Sequence, residues 1–115
     1  MRRIVRGDIF YATLQKGIGS EQHGYRPVVV IQNNTGNRFS PTIIVAAVTG
    51  KVNGKNLLPT HCVLEEKKTL LEPSMILTEQ LATIDKKRLH SYIGHLSNPE
   101  IEQLNKALAI SIDLS

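Results

Sequence analysis
Two stretches of the chain are apolar almost without interruption, Val28–Ile31 and Thr42–Thr49 (TIIVAAVT). A strand with one wet face alternates, so β-branched runs that do not alternate predict strands covered on both sides. Pro27 has no N–H for a ladder and belongs at the start of the first of these strands, where it biases Arg26 towards extended backbone. The pattern predicts a strand over 26–33 and another over 42–49, closed by Gly50. Upstream, the turn pair Gly7-Asp8 introduces a strand over Ile9–Leu14, and 15–25 reads as a loop. Asn33 to Asn37 are turn formers, and that loop runs through Arg38, Phe39 and Ser40 to Pro41. Ala46 and Ala47 leave little bulk in the third strand, so another strand or a second subunit packs closely there. Residues 51–59 form a loop or hairpin.

Further on, Thr60–Glu65 alternates, with Thr60, Cys62 and Leu64 facing one way and His61, Val63 and Glu65 the other. A charged segment, 66–73, breaks at Pro73. Met75–Leu77 and Leu81–Ile84 read as strand on either side of the polar trio Thr78-Glu79-Gln80, which marks a turn or a bulge. Asp85 to Arg88 begin a turn of 3₁₀ type, and Leu89–Leu96 supply the last strand. At the carboxy-terminal end Ser97-Asn98-Pro99-Glu100 fits a capping box on Ser97 and equally a cap on Asn98 with Pro99 in the first helical position. Ile101, Leu104, Leu108 and Ile112 then recur at helical spacing, flanked by Ala107. Several short strands and one packed helix predict an α+β fold, a small β-barrel with a C-terminal helix, in a single domain spanning 1–115.

Composition refines this picture. Apolar residues make up 41% of the chain, but with two Phe, three Tyr and no Trp the core must be aliphatic. Cys62 is the only cysteine, which excludes an intrachain disulfide and any zinc site built on paired cysteines. It reads as a small buried hydrophobe. His23, His61, His90 and His95 follow no zinc motif, so chemistry without metal or cofactor is expected. No apolar window is long enough for a membrane span and the start has no signal-peptide stretch, which points to a cytoplasmic protein. A net charge of +4 favours polyanionic partners without proving one. Arg2, Arg3 and Arg6 read as a solvated end.

Candidate chemistry lies where polar groups interrupt apolar strands: Ser20-Glu21-Gln22 with Arg26, Thr49 at the end of the third strand, Thr78-Glu79-Gln80, and His61. Arg26, held where a loop meets a rigid strand, has a defined direction, as a phosphate-handling cation requires. Phe39 on a polar loop either stacks on a base or tucks into the core. There is no GxxxxGK[ST] and no GxSxG. Spacing alone marks a binding surface and names no reaction.

RGDIFYATL, GSEQHGYRPVVVIQNNTGNRFSPTIIVAAVTG, LPTHCVLE and ILTEQLATIDKKRL, in that order, resemble the MazF/PemK family of toxin endoribonucleases, most closely those of Gram-positive bacteria. The resemblance runs from about Arg6 to Arg88 and more weakly through the final helix. It implies an SH3-like β-barrel that forms a homodimer, cleaves single-stranded RNA without a metal, and is neutralised by a MazE-like antitoxin with an acidic, disordered tail. The family's catalytic arginine and threonine fall on Arg26 and Thr49, and its motif acid on Glu21. Ser20, Gln22, Asn33, His61, Glu79 and Gln80 match positions of the RNA groove. Gln15-Lys16 stands in place of a usual Ser-Pro pair, and His23 and Tyr25 replace smaller residues.

The implied reaction is attack of the substrate's 2′-hydroxyl on the adjacent phosphorus, leaving a 2′,3′-cyclic phosphate and a 5′-hydroxyl. Arg26 suits the developing charge, Thr49 a hydrogen bond to the same phosphate, and Glu21 the role of base or of a group orienting Arg26, with His61 as its rival. Residues 51–58, with Asn33, Gln80 and Phe39, are the expected base readers. A gyrase poison of the same fold, CcdB-like, stays open, although that family ends in a tryptophan-containing tail and this chain has none. So does a plain SH3-like RNA-binding or adaptor module.

Overall fold
A computed structural model describes residues 3–15, 17–19, 21–50, 58–64 and 73–114. Its frame is an antiparallel sheet of six strands: β1 (Asp8–Leu14), β2 (Gly24–Val30), β3 (Thr42–Thr49), β4 (His61–Val63), β5 (Met75–Asp85) and β6 (Leu89–His95). The order across the sheet is β4-β5-β3-β2-β1-β6. The two non-alternating runs therefore sit side by side near the middle, where Val28, Val29 and Val30 are completely buried. Hydrogen bonding leaves β4 and β6 at opposite edges, so among the described residues the barrel-like sheet is not closed.

Each face of the sheet carries its own apolar cluster. On one, Ile9, Val29, Ala46, Val48, Cys62, Ile76 and Leu104 come together. The helix α2 (Asn98–Ser111) covers this side, packing on β4 and β5. It begins on the predicted capping box: Ser97 N donates to Glu100 Oε1 at 2.8 Å and Glu100 N to Ser97 Oγ at 3.3 Å. Leu104 and Ala107 are buried and Ile101 and Leu108 pack against the cluster, whereas Ile112 lies past the helix and is exposed. On the other face Phe10, Ala12, Leu14, Val28, Val30, Ile43, Val45, Ala47 and Ile84 form the second cluster. Ala46 and Ala47 are thus covered by the chain's own strands and do not in themselves require a second subunit.

Four sequence expectations need correcting. Residues 33–40, read as a loop, contain a short helix α1 (Asn34–Phe39) capped by Asn33, whose Oδ1 accepts from Gly36 N at 2.8 Å. The strand expected over 26–33 starts two residues earlier and ends at Val30, because Ile31 N and Gln32 N both turn to Ile44 O. β4 is shorter than the stretch 60–65, whose last residue lies outside the described ones. Arg6 is no solvated end: its Nε donates to Ile31 O and its Nη2 to Asn105 Oδ1, both at 2.9 Å, tying the amino-terminal segment to α2. The 3₁₀ turn is present at Lys86–Arg88, capped by Asp85.

Cys62 is buried as expected, its Sγ 3.7 Å from Gln103 Oε1. Burial, and secondarily the nearby Glu100 carboxylate, pushes its thiol pKa above the ordinary value. Native protein at pH 8 should therefore label with iodoacetamide roughly a hundredfold more slowly than protein in guanidinium, followed by mass spectrometry. Equal rates would show that α2 does not shield this position.

Candidate functional site
The site begins with a disagreement of register inside β5. β3 pairs Ala46 with Leu81 but Ala47 with Leu77, so Thr78, Glu79 and Gln80 are extra residues pushed out of the ladder. The polar trio that broke the apolar pattern is a bulge, and side-chain hydrogen bonds tie it to Thr60 and His61. Thr78 Oγ1 donates to Thr60 O at 2.6 Å, Thr60 Oγ1 donates to Glu79 Oε2 at 2.7 Å, and Glu79 Oε1 meets His61 Nε2 at 2.8 Å. Leu58 N donates to His61 Nδ1 at 3.2 Å. That places the imidazole proton on Nε2 and spends the ring's lone pair on the backbone. As arranged, His61 is a donor to Glu79 rather than a base.

Next to the bulge stands the loop before β2. Gln22 N donates to Gln80 Oε1 at 3.4 Å, which joins loop and bulge. Gly24 has φ +82°, a left-handed turn that L side chains resist, and the chain then enters β2. The Arg26 guanidinium turns back on this loop: its Nε donates to His23 O at 2.6 Å and its Nη1 to Gln22 Oε1. Glu21, expected as the group orienting Arg26, makes no hydrogen bond to it; its Oε2 instead accepts from Ile18 N at 3.0 Å. The residue that holds the arginine is Gln22.

Thr49 closes β3 and is buried. The β2–β3 ladder pairs Val30 with Val45, Val29 with Ala46 and Val28 with Ala47. Arg26 and Thr49 lie two residues beyond that last pair, one on each strand. Residues two apart share a face of a strand, so both belong to the face of Val28 and Ala47. His61 pairs with Leu77, itself the partner of Ala47, and so joins the same face further across the sheet.

Arg26, Thr49, Gln22, Gln80, Glu79 and His61 therefore gather at one end of the sheet, with Glu21 in the loop beside them. Asn33 and Phe39 do not join them within one chain. Asn33 caps α1 and Phe39 ends it, at the far end of β2 and β3, with the eight-residue length of β3 between Phe39 and Thr49, a distance of roughly 25 Å. Asn33 is occupied as a helix cap, and Phe39 is exposed with the Arg38 guanidinium carbon 5.2 Å from its ring centroid. Ser20 and residues 51–57 lie outside the described residues. Among the described residues no three His, Cys, Asp or Glu side chains stand close enough to hold a metal, and no helix is long and apolar enough to cross a membrane.

Sequence reasoning missed the partly exposed aromatic stack on the opposite face of β1 and β2. Tyr11 and Tyr25 lie parallel at 5.1 Å, and His90 is tilted over Tyr25 at 5.4 Å. The strand alternation was the available signal, since Tyr25 precedes Arg26 and must point the other way.

Comparison with known proteins adds one family match and three solved structures. A family model described as PemK-like, MazF-like toxin of type II toxin-antitoxin system matches residues 5–112. The solved Mycobacterium tuberculosis toxin MazF-mt6 superposes with a TM-score of 0.77 at 25% identity, covering 94% of this chain and 98% of that one. An endoribonuclease in complex with its cognate antitoxin, from a mycobacterial species, gives a TM-score of 0.77 at 20% identity over 97% of each chain, and MazF from Deinococcus radiodurans gives 0.81 at 16% over 98% of this chain and 99% of the other.

Proposed function
Since the chain belongs to the PemK-like, MazF-like toxins of type II toxin-antitoxin systems, we propose that it is a metal-independent endoribonuclease that cuts single-stranded RNA and is silenced by a cognate antitoxin. The relatives named as endoribonuclease, and as toxin bound to antitoxin, support the class. The observation that carries the reading is the β2–β3 register, which, continued two residues past Val28–Ala47, sets Arg26 and Thr49 on adjacent strands and on one face, with Gln22 holding the guanidinium.

The chemistry follows from what those groups are able to do. The substrate carries its own nucleophile: the 2′-oxygen bonds to phosphorus, the 5′-oxygen leaves with the electron pair of the broken bond, and a cyclic phosphate remains. The 2′-hydroxyl proton goes to a general base, and a proton must reach the leaving oxygen. Arginine stays charged at neutral pH, so Arg26 binds the phosphorane and does not serve as the base. The Thr49 hydroxyl donates to a non-bridging oxygen of the same phosphate. Glu21 is the acceptor of the 2′-proton: its Oε2 is occupied by Ile18 N, while its Oε1 has no hydrogen bond among the described residues. No step requires a metal, because the nucleophile is internal and the counter-charge comes from the guanidinium.

Base edges are free to be read only in unpaired RNA. Purified protein with a long transcript and EDTA should give discrete cuts ending in 2′,3′-cyclic phosphate and 5′-hydroxyl. The same sequence annealed to its complement should be cut about a hundredfold more slowly, since opening each stacked pair costs on the order of 1–2 kcal/mol. Equal cleavage of both forms, or loss of cutting on chelation, overturns this mechanism. Size-exclusion chromatography with light scattering checks the homodimer expected of this fold.

A further inference from the structure
Gln22 belongs to two places at once. Besides holding Arg26, it lines a depression of about 350 Å³ between the β1–β2 loop and the end of β5. That volume lies near the lower end of the range for small-ligand sites, about 300–1,000 Å³. Leu14 and Ile84, both buried in the second cluster, contribute its apolar lining, while Gln15, Gln22, Asp85 and Arg88 supply polar groups. Much of their hydrogen-bonding capacity is uncommitted. Asp85 Oδ1 accepts from Lys87 N at 2.8 Å, which leaves Oδ2 unused among the described residues. Arg88 makes no hydrogen bond or ion pair among the described residues, in contrast to Lys86, whose Nζ donates to Asn37 O at 2.5 Å. A small apolar floor from Leu14 and Ile84 beneath a polar rim that includes an unused carboxylate oxygen and an unused guanidinium fits a flat ring with a polar edge.

We propose that this depression seats the base next to the scissile phosphate and selects a base whose Watson–Crick edge presents an exocyclic amino group beside an acceptor ring nitrogen, cytosine or adenine but not guanine, whose amino group there adjoins the N1–H donor. The proposal rests on the nuclease reading above, and its new content is the Asp85–Arg88 wall. Asp85 Oδ2 accepts from the amino group, and Arg88 donates to the ring nitrogen beside it. Uracil turns a carbonyl towards the carboxylate and offers it no donor at that position. Because Gln22 touches both the depression and Arg26, the base seated here belongs to a nucleotide flanking the phosphate that Arg26 binds.

Two measurements on the full chain test this. In the first, a randomised single-stranded RNA is cut by the parent protein, Asp85→Asn and Arg88→Gln, and the new ends are sequenced. The parent should favour cytosine or adenine over uracil about tenfold at one position flanking the bond, the scale of one good side-chain–base pair. Asp85→Asn keeps a side chain able to cap the 3₁₀ turn but adds an amide donor, and should bring that ratio close to one. Arg88→Gln should reduce it several-fold with an unchanged melting temperature. Parent and variants with the same profile at both flanking positions overturn the proposal, as does a parent profile without that preference.

In the second measurement the same pool, made with 2′-O-methyl riboses, is bound and not cut. Binding with the amino-base preference, lost in Asp85→Asn, keeps the subsite even if the parent cuts nothing, in which case the nuclease reading alone fails. Binding without that preference removes the subsite whatever the cleavage result.

Discussion

Arg26→Ala is expected to lower kcat/KM on a short single-stranded RNA by about a thousandfold while the protein still folds. The size follows from the role. A positioned charged donor that meets the phosphorane acts mainly in the transition state, where removal of one such group costs about 10²–10³ in rate, and a guanidinium that stabilises a transferring phosphoryl reaches 10³–10⁵. The cost to folding is small by comparison. Arg26 is half-buried and its protein partners are a loop carbonyl and the Gln22 amide, so the variant loses on the order of 1–2 kcal/mol at most. Arg26→Lys separates charge from shape. An ammonium keeps the charge but not the planar fork that binds Gln22, His23 and a phosphate together, so its activity should stay about a hundredfold below the parent. Cleavage rates beside thermal melts decide the matter, and a fully active Arg26→Ala removes the mechanism.

The sequence discloses those parts of the fold whose cause is local. β3 has the predicted limits, 42–49, because both of its faces are covered from Val45 onwards and no charged residue breaks the run before Gly50. α2 starts where its capping box says, because a cap is a contact among neighbours in the chain. α1 is different. NTGNRF contains Gly and two Asn, poor helix formers, and the helix relies on contacts beyond its own residues: Asn37 Nδ2 donates to Gln32 O at 2.9 Å and Lys86 Nζ reaches Asn37 O from beyond β5. The bond of Arg6 to Asn105 is equally invisible to a reading of neighbours, since the partners are 99 positions apart.

At the candidate site, periodicity marked the polar interruptions but not their convergence. Only the family resemblance joins Arg26 to Thr49 in the sequence. The physical link is the β2–β3 register, and a register is a property of two strands that neither sequence carries alone. The resemblance implies an RNA-groove position for Gln22, but its hold on Arg26 depends on the turn at Gly24, whose φ of +82° no pattern of apolar positions discloses.

That register also sets the second large effect, at Thr49. Thr49→Val keeps the β-branched shape at the end of β3, opposite Met75, and removes the hydroxyl. If the hydroxyl donates to the phosphate that Arg26 binds, cleavage should fall about a hundredfold, or roughly 2.7 kcal/mol in activation free energy, the lower end for loss of one transition-state donor. The fall should appear in kcat, with KM changed less than threefold, because the charge of Arg26 still binds the substrate. Thr49 is buried, so Val also alters packing and polarity inside the chain, and a lower melting temperature alone does not identify a catalytic role. Thr49→Ser resolves the two effects. It loses the methyl group and some stability but restores the hydroxyl, so its kcat should return to within about tenfold of the parent even if it melts lower than Thr49→Val. A series in which activity follows melting temperature instead of the hydroxyl assigns Thr49 to the core and leaves Arg26 to act on the phosphate without it.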